Sequence, residues 1–159
     1  MLKNLHAYWR VDYVETKKSD SDDPFAEIFS QQNDKENLVL LRSLHCFAVL
    51  NKYPYNAGHV LVLPNRAISD LDQLSHDEKI DFLDTIIKIE NALKKALSPD
   101  GFNIGINLGS AAGAGIPKHL HCHIVPRWAG DTNFMPIIGE TKVLSQAQEK
   151  MFDRIRLFL

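Results

Sequence analysis

The chain has 159 residues, of which 45% are hydrophobic and 24% charged, and its formal net charge is −2. These values are typical of one globular domain of roughly 100–200 residues, and they exclude a disordered tail or a fibrous repeat. Because acidic and basic residues nearly balance, the charge gives no reason to expect a nucleic-acid or membrane partner.

The apolar runs and the cysteines bear on the cellular location of the protein. No run approaches the roughly 18 residues that cross a bilayer, and the N-terminus lacks the pattern of a signal peptide. Two cysteines, Cys46 and Cys122, are too few for a disulfide framework, so a cytoplasmic location is expected. We expect a single domain over residues 1–159, with a polar N-terminal segment at 1–37 and a C-terminal helix at 145–159.

The first half of the chain predicts one short helix and three strands. A polar stretch ends at Pro24, and residues 25–31 are predicted to form a short helix. Apolar runs at 38–41, 46–50 and 59–63 predict strands. Their short connections favour an antiparallel meander over β-α-β units.

A capping box then precedes the longest predicted helix. Ser75 and Glu78 have the spacing at which each side chain satisfies the other's backbone N–H group. Apolar side chains recur at helical spacing from there to about Leu97, and residues 98–101 (SPDG) end the pattern.

Two further strands are predicted around a glycine-rich loop. Residues 102–108 alternate like a strand, residues 109–117 form the loop, and residues 119–126 form the last strand. The elements together predict an α+β fold: an antiparallel sheet of about five strands, one long helix covering a face, and a C-terminal helix.

Three histidines alternate with apolar residues in the last predicted strand. Side chains alternate between the two faces of a strand, so His119, His121 and His123 are predicted to share one face. Three imidazoles are poor core residues, because each has polar nitrogens that need partners. The explanations are satisfied structural histidines, zinc ligands joined by a further residue such as His59, or covalent catalysis by one imidazole.

The loop before this row favours catalysis. Gly109, Gly113 and Gly115 let backbone N–H groups approach an anion closely. An unperturbed imidazole is largely neutral at pH 7 and therefore nucleophilic. The loop and the histidine row together predict a phosphate site that faces a nucleophile.

The sequence HLHCHIV at 119–125 resembles the His-x-His-x-His signature of the histidine triad (HIT) superfamily of nucleotide hydrolases and transferases. The sequences NKYPYNAGH at 51–59, GFNIGINLG at 101–109 and VPRWAGDTNFMP at 125–136 strengthen a resemblance that covers residues 1 to about 145. The last of them is most similar to bacterial HIT proteins grouped with diadenosine tetraphosphate phosphorylases.

This resemblance implies an α+β fold and a homodimer whose two sheets join edge to edge. It implies that His121 attacks the α-phosphorus of a nucleotide and that water or phosphate resolves the nucleotidyl-imidazole. His123 then contacts the phosphate or assists the leaving group, His119 orients the nucleophile, and His59 lies behind the triad. The residues implied to bind the nucleotide are Asn51, Val49, Leu61, Asn107, Gly109, Gly113, Ala114 and Gly115.

The chain departs from the family pattern at its N-terminal end. Many bacterial relatives hold a structural zinc with a Cys-x-x-Cys pair and histidines like His59 and His119. The corresponding residues 23–26 are Asp-Pro-Phe-Ala. We therefore expect no zinc and no required cofactor, with packing by Phe25 and Ile28 in place of the metal.

A second departure concerns the acceptor of the nucleotidyl group. The phosphorylases carry Gly-Ser late in the loop, where this chain has Ala114-Gly115 without a hydroxyl. The expected function is cleavage of adenosine 5′-phosphoryl compounds, above all dinucleoside polyphosphates such as diadenosine tetraphosphate. The alternatives are diadenosine tetraphosphate phosphorylase (ATP adenylyltransferase), nucleoside phosphoramidase, zinc-dependent hydrolase, and a nucleotide-binding module without turnover. No role is assigned to residues 131–135.

Overall fold

The computed structural model describes residues 23–131 and 147–159. In chain order its helices and strands are α1 (Pro24–Ser30), β1 (Val39–Arg42), β2 (Cys46–Leu50), β3 (Val60–Pro64), α2 (His76–Leu97), β4 (Gly101–Ile106), β5 (Cys122–Arg127) and α3 (Gln148–Arg156). Short 3-10 helices lie in two connections, at Leu71–Gln73 and Ser110–Ala112.

The strands form one antiparallel sheet in the order β1-β2-β3-β5-β4. β4 and β5 are joined through the glycine-rich loop, and β5 also pairs with β3, where His123 lies opposite Leu61. The histidine-bearing end of β5 is therefore inside the sheet, between two neighbouring strands. The predicted α+β fold with a five-stranded antiparallel sheet is confirmed.

Different elements cover the two faces of the sheet. In β2, Cys46, Ala48 and Leu50 pack in the core beneath α2, whereas Phe47 and Val49 pack on the other face, against α1. All five residues of β2 are buried, because strand side chains alternate and both faces are covered. The face that α1 covers is the one that carries the site.

Helix α2 begins at the predicted capping box. Ser75 Oγ accepts a hydrogen bond from the Glu78 N–H at 3.2 Å, and Glu78 Oε2 accepts one from the Ser75 N–H at 2.7 Å. The guanidinium group of Arg66 donates two hydrogen bonds to the same carboxylate, at 2.6 and 2.8 Å. The helix ends at Ser98, whose φ of 48° is left-handed.

The start of β5 differs from the prediction. Its ladder with β3 begins at Cys122, so His119 and His121 lie before the strand and not within it. The reason is that the backbone has other partners before this point: the His119 N–H closes a turn onto Ile116 O, and the Leu120 N–H donates to Ile68 O in the connection after β3. The side-chain directions of the first two histidines are therefore set by individual contacts and not by a strand ladder.

The terminal helices are close to their predicted places. Helix α1 starts at Pro24 because Asp23 caps it, accepting hydrogen bonds from the backbone of Phe25 and Ala26. Helix α3 starts at Gln148, and the predicted helical residues 145–146 lie outside the described residues. None of the helices in residues 23–131 and 147–159 is long and apolar enough to span a bilayer.

Candidate active site

A cavity of about 1100 Å³ opens on the face of the sheet opposite α2. His121, His123, Gly113 and Gly115 line one part of it, and residues of α1, the end of β2 and the start of α3 line the rest. A cavity of this size accommodates a nucleotide-sized ligand. Two of the three clustered histidines therefore face a space that can hold a substrate, while His119 does not line it.

His121 is held in the tautomer that a nucleophile needs. Its Nδ1 lies 2.7 Å from the carbonyl oxygen of His119, which can only accept a hydrogen bond, so Nδ1 carries the proton. In the neutral ring the lone pair is then on Nε2. Burial lowers the pKa of His121 below its ordinary 6.5, so the ring is neutral at physiological pH.

The tautomer of His123 is set by the backbone N–H group of Tyr55, which acts through the ring of His59. The Tyr55 N–H donates to His59 Nδ1 at 3.0 Å, so His59 carries its proton on Nε2. His59 Nε2 lies 3.0 Å from His123 Nδ1 and donates to it. In the neutral His123 ring the proton is consequently on Nε2, which makes that atom a donor. His59 does lie behind the triad, and it is buried.

Tyr55 also packs on both of these rings. Its ring centroid is 4.7 Å from that of His59 and 5.6 Å from that of His123, where the two planes are nearly parallel at 21°. The rings of His121 and His123 meet edge to face at 5.0 Å. Aromatic contacts of this kind fix ring orientation in addition to burying area.

His119 is completely buried and bonded at both ring nitrogens. Nδ1 lies 2.8 Å from Asp23 Oδ2, and Nε2 lies 2.9 Å from the carbonyl oxygen of Pro64 at the end of β3. The ring of Phe25 contacts His119 edge-on and also contacts His121, with both centroids 5.6 Å away. His119 thus supports His121 from behind the cavity wall.

Three of the residues implied to bind a nucleotide lie together on the cavity wall: Val49, Leu61 and Asn51. The first two pack with Phe25 in an apolar cluster that is suited to a base. The Asn51 carboxamide is partly engaged, because Oδ1 accepts from the Tyr53 N–H at 2.9 Å and Nδ2 lies 3.3 Å from His59 Nδ1. Asn51 therefore also orders the turn that follows it.

The glycine-rich loop presents fewer amides than its composition suggests. The N–H groups of Gly113 and Ala114 donate to carbonyl oxygens within the loop, those of Ser110 and Gly109 respectively. Gly115 and Ile116 line the cavity, and their N–H groups donate to no acceptor in the described residues. The amides that best suit a phosphate are therefore those of Gly115 and Ile116, and the Ala114 amide already has a partner.

Asn107 and Gly109 frame this loop without lining the cavity. Gly109 and Gly113 have φ angles of 78° and 88°, which a residue with a Cβ rarely adopts. Asn107 Nδ2 lies 3.9 Å from the place where a Cβ on Gly113 would be. Their positions indicate that they shape the loop, and contact with phosphate stays a prediction.

Asp131, the first residue of the stretch without an assigned role, ties the end of β5 to the turn that carries Tyr55. It accepts hydrogen bonds from Arg127 Nε at 2.7 Å, from the Trp128 N–H at 3.1 Å and from Asn56 Nδ2 at 2.9 Å. Residues 132–135 lie outside the described residues.

The histidines do not form a metal site of the zinc-binding kind found in relatives. The ring nitrogens of His119 bond to Asp23 and Pro64, and those of His59 bond to Tyr55 and His123 and approach Asn51. In the described parts of the chain, no three histidine, cysteine, aspartate or glutamate side chains are grouped so that they could hold a metal ion. His59 and His119 therefore do not fit the zinc site. The mechanism proposed for this protein uses no metal.

Comparison with known proteins identifies the family of this chain. The family model described as "HIT domain" matches residues 32–130. The chain belongs to the HIT family. A relative from Mycobacterium tuberculosis named AP-4-A phosphorylase is 46% identical over 123 residues, which are 77% of this chain and 63% of that protein. The chain therefore spans less than two thirds of this relative's length.

Two further similarities lie within the HIT family. A Schizosaccharomyces pombe protein named bis(5′-nucleosyl)-tetraphosphatase (asymmetrical) is 38% identical over 93 residues, covering 58% of this chain and 50% of its own. The crystal structure of a hypothetical histidine triad nucleotide-binding protein from Sulfolobus tokodaii superposes with a TM-score of 0.70 at 25% identity. It covers 85% of this chain and 90% of that one.

From the sequence, no role in the site was predicted for Asp23 or Tyr55, and Phe25 was predicted only to pack. An aspartate before a proline is a signal for a helix N-cap, so the capping role of Asp23 was predictable. Its contact with His119, 96 residues away, has no local signal. Tyr55 lies in the family-like sequence at 51–59, but nothing there indicates that its ring stacks on two histidines.

Proposed function

We propose that this protein is a nucleotidyl hydrolase or transferase that cleaves adenosine 5′-phosphoryl compounds at the α-phosphorus. The observation that carries the proposal is the state of His121: a neutral, buried ring on the cavity wall whose proton is held on Nδ1 by a carbonyl oxygen. Such a ring offers its Nε2 lone pair as a nucleophile without any cofactor.

In the first step the Nε2 lone pair bonds to the α-phosphorus, and the bond from phosphorus to the leaving phosphate oxygen breaks. Its electron pair goes to that oxygen, which leaves as an anionic phosphate oxygen and which the Nε2–H of His123 stabilises by a hydrogen bond. The nucleotidylated ring of His121 is cationic, and its Nδ1–H bond to the His119 carbonyl oxygen stabilises that charge. In the second step an acceptor oxygen bonds to phosphorus, the electrons of the N–P bond return to the ring, and any proton on the attacking oxygen is released to solvent.

We propose dinucleoside polyphosphates such as diadenosine tetraphosphate as the substrates. The names of the M. tuberculosis and S. pombe relatives support this class, as does the volume of the cavity, which continues past Val49 and Leu61 to the start of α3. Nucleoside phosphoramidates are the alternative, because they present the same α-phosphorus.

The acceptor decides between hydrolysis and phosphorolysis. Water releases AMP from diadenosine tetraphosphate, and inorganic phosphate releases ADP, with ATP as the other product in both cases. Incubation with and without phosphate, followed by chromatography, separates the two. ADP that appears only with phosphate would make the protein a phosphorylase (ATP adenylyltransferase), and AMP in both incubations a hydrolase.

Mass spectrometry of a quenched reaction tests the mechanism. We expect AMP attached to His121 in the wild type, and we expect His121→Asn to lose both the adduct and turnover while retaining nucleotide affinity. Unchanged turnover in this variant would refute the mechanism. Affinity without any turnover in the wild type would instead indicate a nucleotide-binding module.

We further propose that the protein acts as a homodimer. β4 lies at an edge of the sheet, where its outer backbone groups can pair with a second copy. Ile104 on this strand is 46% exposed, and Ile80, Leu83 and Ile87 form an exposed apolar stripe on α2. Sedimentation should give twice the monomer mass, and Leu83→Glu should shift it toward the monomer; a monomeric wild type would exclude the dimer.

The proposed partner is a small nucleotide, and the proposed location is the cytoplasm. Cys46 and Cys122 are both free and buried, as is usual for thiols in a reducing compartment.

A further inference from the structure

We propose that Asp23 is a positioning residue for the nucleophile His121 and that it acts through His119. This inference rests on the proposed function of His121. The observation that supports it is that the carboxylate of Asp23 bonds to two different parts of the fold. Oδ1 accepts from the backbone N–H groups of Phe25 and Ala26 at 3.0 and 3.2 Å, and Oδ2 accepts from His119 Nδ1 at 2.8 Å.

The bond to His119 is not needed for the cap. An N-cap side chain satisfies the first amides of a helix with one oxygen, and Oδ1 already does so at both Phe25 and Ala26. The second oxygen is free to bond elsewhere, and it bonds to a ring that is completely buried. A buried ring nitrogen that lost its acceptor would be left without a hydrogen bond, and the ring would be free to move.

The backbone at His119 depends on this ring. His119 lies before β5, so no strand ladder fixes its carbonyl group. Its anchors are two backbone bonds, from its own N–H to Ile116 O and from the N–H of Leu120 in the same peptide group to Ile68 O, and the two ring bonds to Asp23 and Pro64. Removing one ring bond therefore loosens the residue whose carbonyl oxygen holds the nucleophile.

That carbonyl oxygen sets both the tautomer and the direction of His121. It accepts from His121 Nδ1 at 2.7 Å, which leaves the lone pair on Nε2. A displacement of about 1 Å in a reacting group can cost about 10²-fold in rate. The contacts run from Asp23 to the His119 ring, through the His119 backbone, to the His121 ring.

The chain offers a discriminating substitution. Ser is as good an N-cap as Asp, so Asp23→Ser keeps the α1 cap, while its single hydroxyl leaves no second oxygen to bond to His119 Nδ1. Asp70→Ser is the matched control, because Asp70 caps the 3-10 helix Leu71–Gln73. Steady-state kinetics with diadenosine tetraphosphate, thermal unfolding and nucleotide affinity would be measured for both variants.

We expect Asp23→Ser to lower kcat by about 10- to 100-fold, with KM and nucleotide affinity within about threefold of the wild type. Asp70→Ser should keep the wild-type kcat. A merely structural role for Asp23 would lower the unfolding temperature and leave kcat of the folded enzyme unchanged. A kcat for Asp23→Ser within twofold of the Asp70→Ser value would overturn the proposal.

Two further measurements cover the other outcomes. If Asp23→Ser does not fold, Asp23→Thr also keeps one capping hydroxyl and no second oxygen for His119, and the same kcat criterion applies to it. In the wild type, ¹⁵N-edited NMR of the histidine rings should show a protonated Nδ1 in both His119 and His121. An unprotonated Nδ1 at His119 overturns the proposal without any kinetics.

The failure of the proposed function would look different. A wild type that forms no AMP adduct on His121 would refute the enzyme mechanism, while the NMR experiment would still report whether Asp23 accepts from His119. A wild type that forms the adduct no faster than Asp23→Ser does would refute only the role of Asp23.

Discussion

Replacing Gly58 by alanine should destabilise the turn that leads into His59. Gly58 has a φ of 73°, a left-handed conformation that costs an L-residue with a Cβ about 1–2 kcal/mol. The added Cβ would also lie 2.5 Å from Leu97 Cδ1, close to the end of α2. Leu97 must then leave its rotamer, at a cost of about 0.5–1.5 kcal/mol. Together these give a loss of about 1.5–3.5 kcal/mol in the free energy of unfolding.

Urea unfolding followed by circular dichroism measures this loss directly. For a chain of this length, the same loss lowers Tm by about 3–14 °C. Gly130→Ala is the matched control, since Gly130 has a nearly identical φ of 77° and nothing within 4 Å of its added Cβ. Gly130→Ala should therefore lose only the free energy that the left-handed backbone conformation costs an alanine. In a Leu97→Ala background, Gly58→Ala should cost about 0.5–1.5 kcal/mol less than in the wild type.

The reasoning would be refuted if Gly58→Ala cost less than about 1 kcal/mol. A cost equal to that of Gly130→Ala would refute the steric part alone. Because His59 follows Gly58 directly and donates to His123, the folded variant should also show a lower kcat than the control.

Three further predictions concern titratable groups. Burial lowers the pKa of His121 below 6.5 and the neutral ring is the proposed nucleophile, so kcat/KM should stay level down to pH 6.5 and fall only below it; an acidic limb above that pH would contradict the assignment. The hydrogen bonds from Arg66 hold the pKa of Glu78 at about 2, below its ordinary 4.5, so the stability from this pair is full above about pH 5 and is lost as the pH falls toward 2. Glu78→Gln should therefore be less stable than the wild type at pH 7 and lose less stability on acidification, whereas parallel acid-unfolding curves would contradict this. Burial raises the pKa of Cys46 to about 12 and that of Cys122 to about 11, so Ellman's reagent at pH 8 should label neither thiol in the native protein and both in denaturant; rapid native labelling would show that the core opens.

The geometry of the site shows why three histidines in one motif have three different environments. His119 bonds through both nitrogens to oxygen atoms, His121 through Nδ1 to a backbone oxygen, and His123 through Nδ1 to another histidine. Only the last two line the cavity. The same side chain is therefore an anchor at 119, the proposed nucleophile at 121 and a donor at 123, according to the partner of each nitrogen.

The sequence alone determined the secondary structure and the identity of the triad, because both depend on local patterns. The capping box at Ser75 and Glu78, the apolar runs of β2 and β3, and the alternation that produces β4 are all read from neighbouring residues. The order of the strands could not be read in this way, because β5 pairs with β3 across about 60 residues.

The prediction that all three histidines lie in one strand was wrong for a related reason. Alternation predicts a strand, but a strand also needs a neighbour to pair with, and β3 meets this segment only from Cys122 onward. The bonds from His119 to Ile116 and from Leu120 to Ile68 replace the ladder before that point. Turns and strand ladders compete for the same backbone groups, and only the packed fold decides between them.

What only the tertiary structure decided is the protonation pattern of the site. The sequence places an Asp at position 23, a Tyr at 55 and a His at 59, but it does not say which atoms they approach. A tautomer is set by the partner of each ring nitrogen, and these partners come from α1, from the end of β3 and from the turn before it. Hydrogen bonds act over about 3 Å, so residues far apart in the chain determine the chemistry only once folding has brought them together.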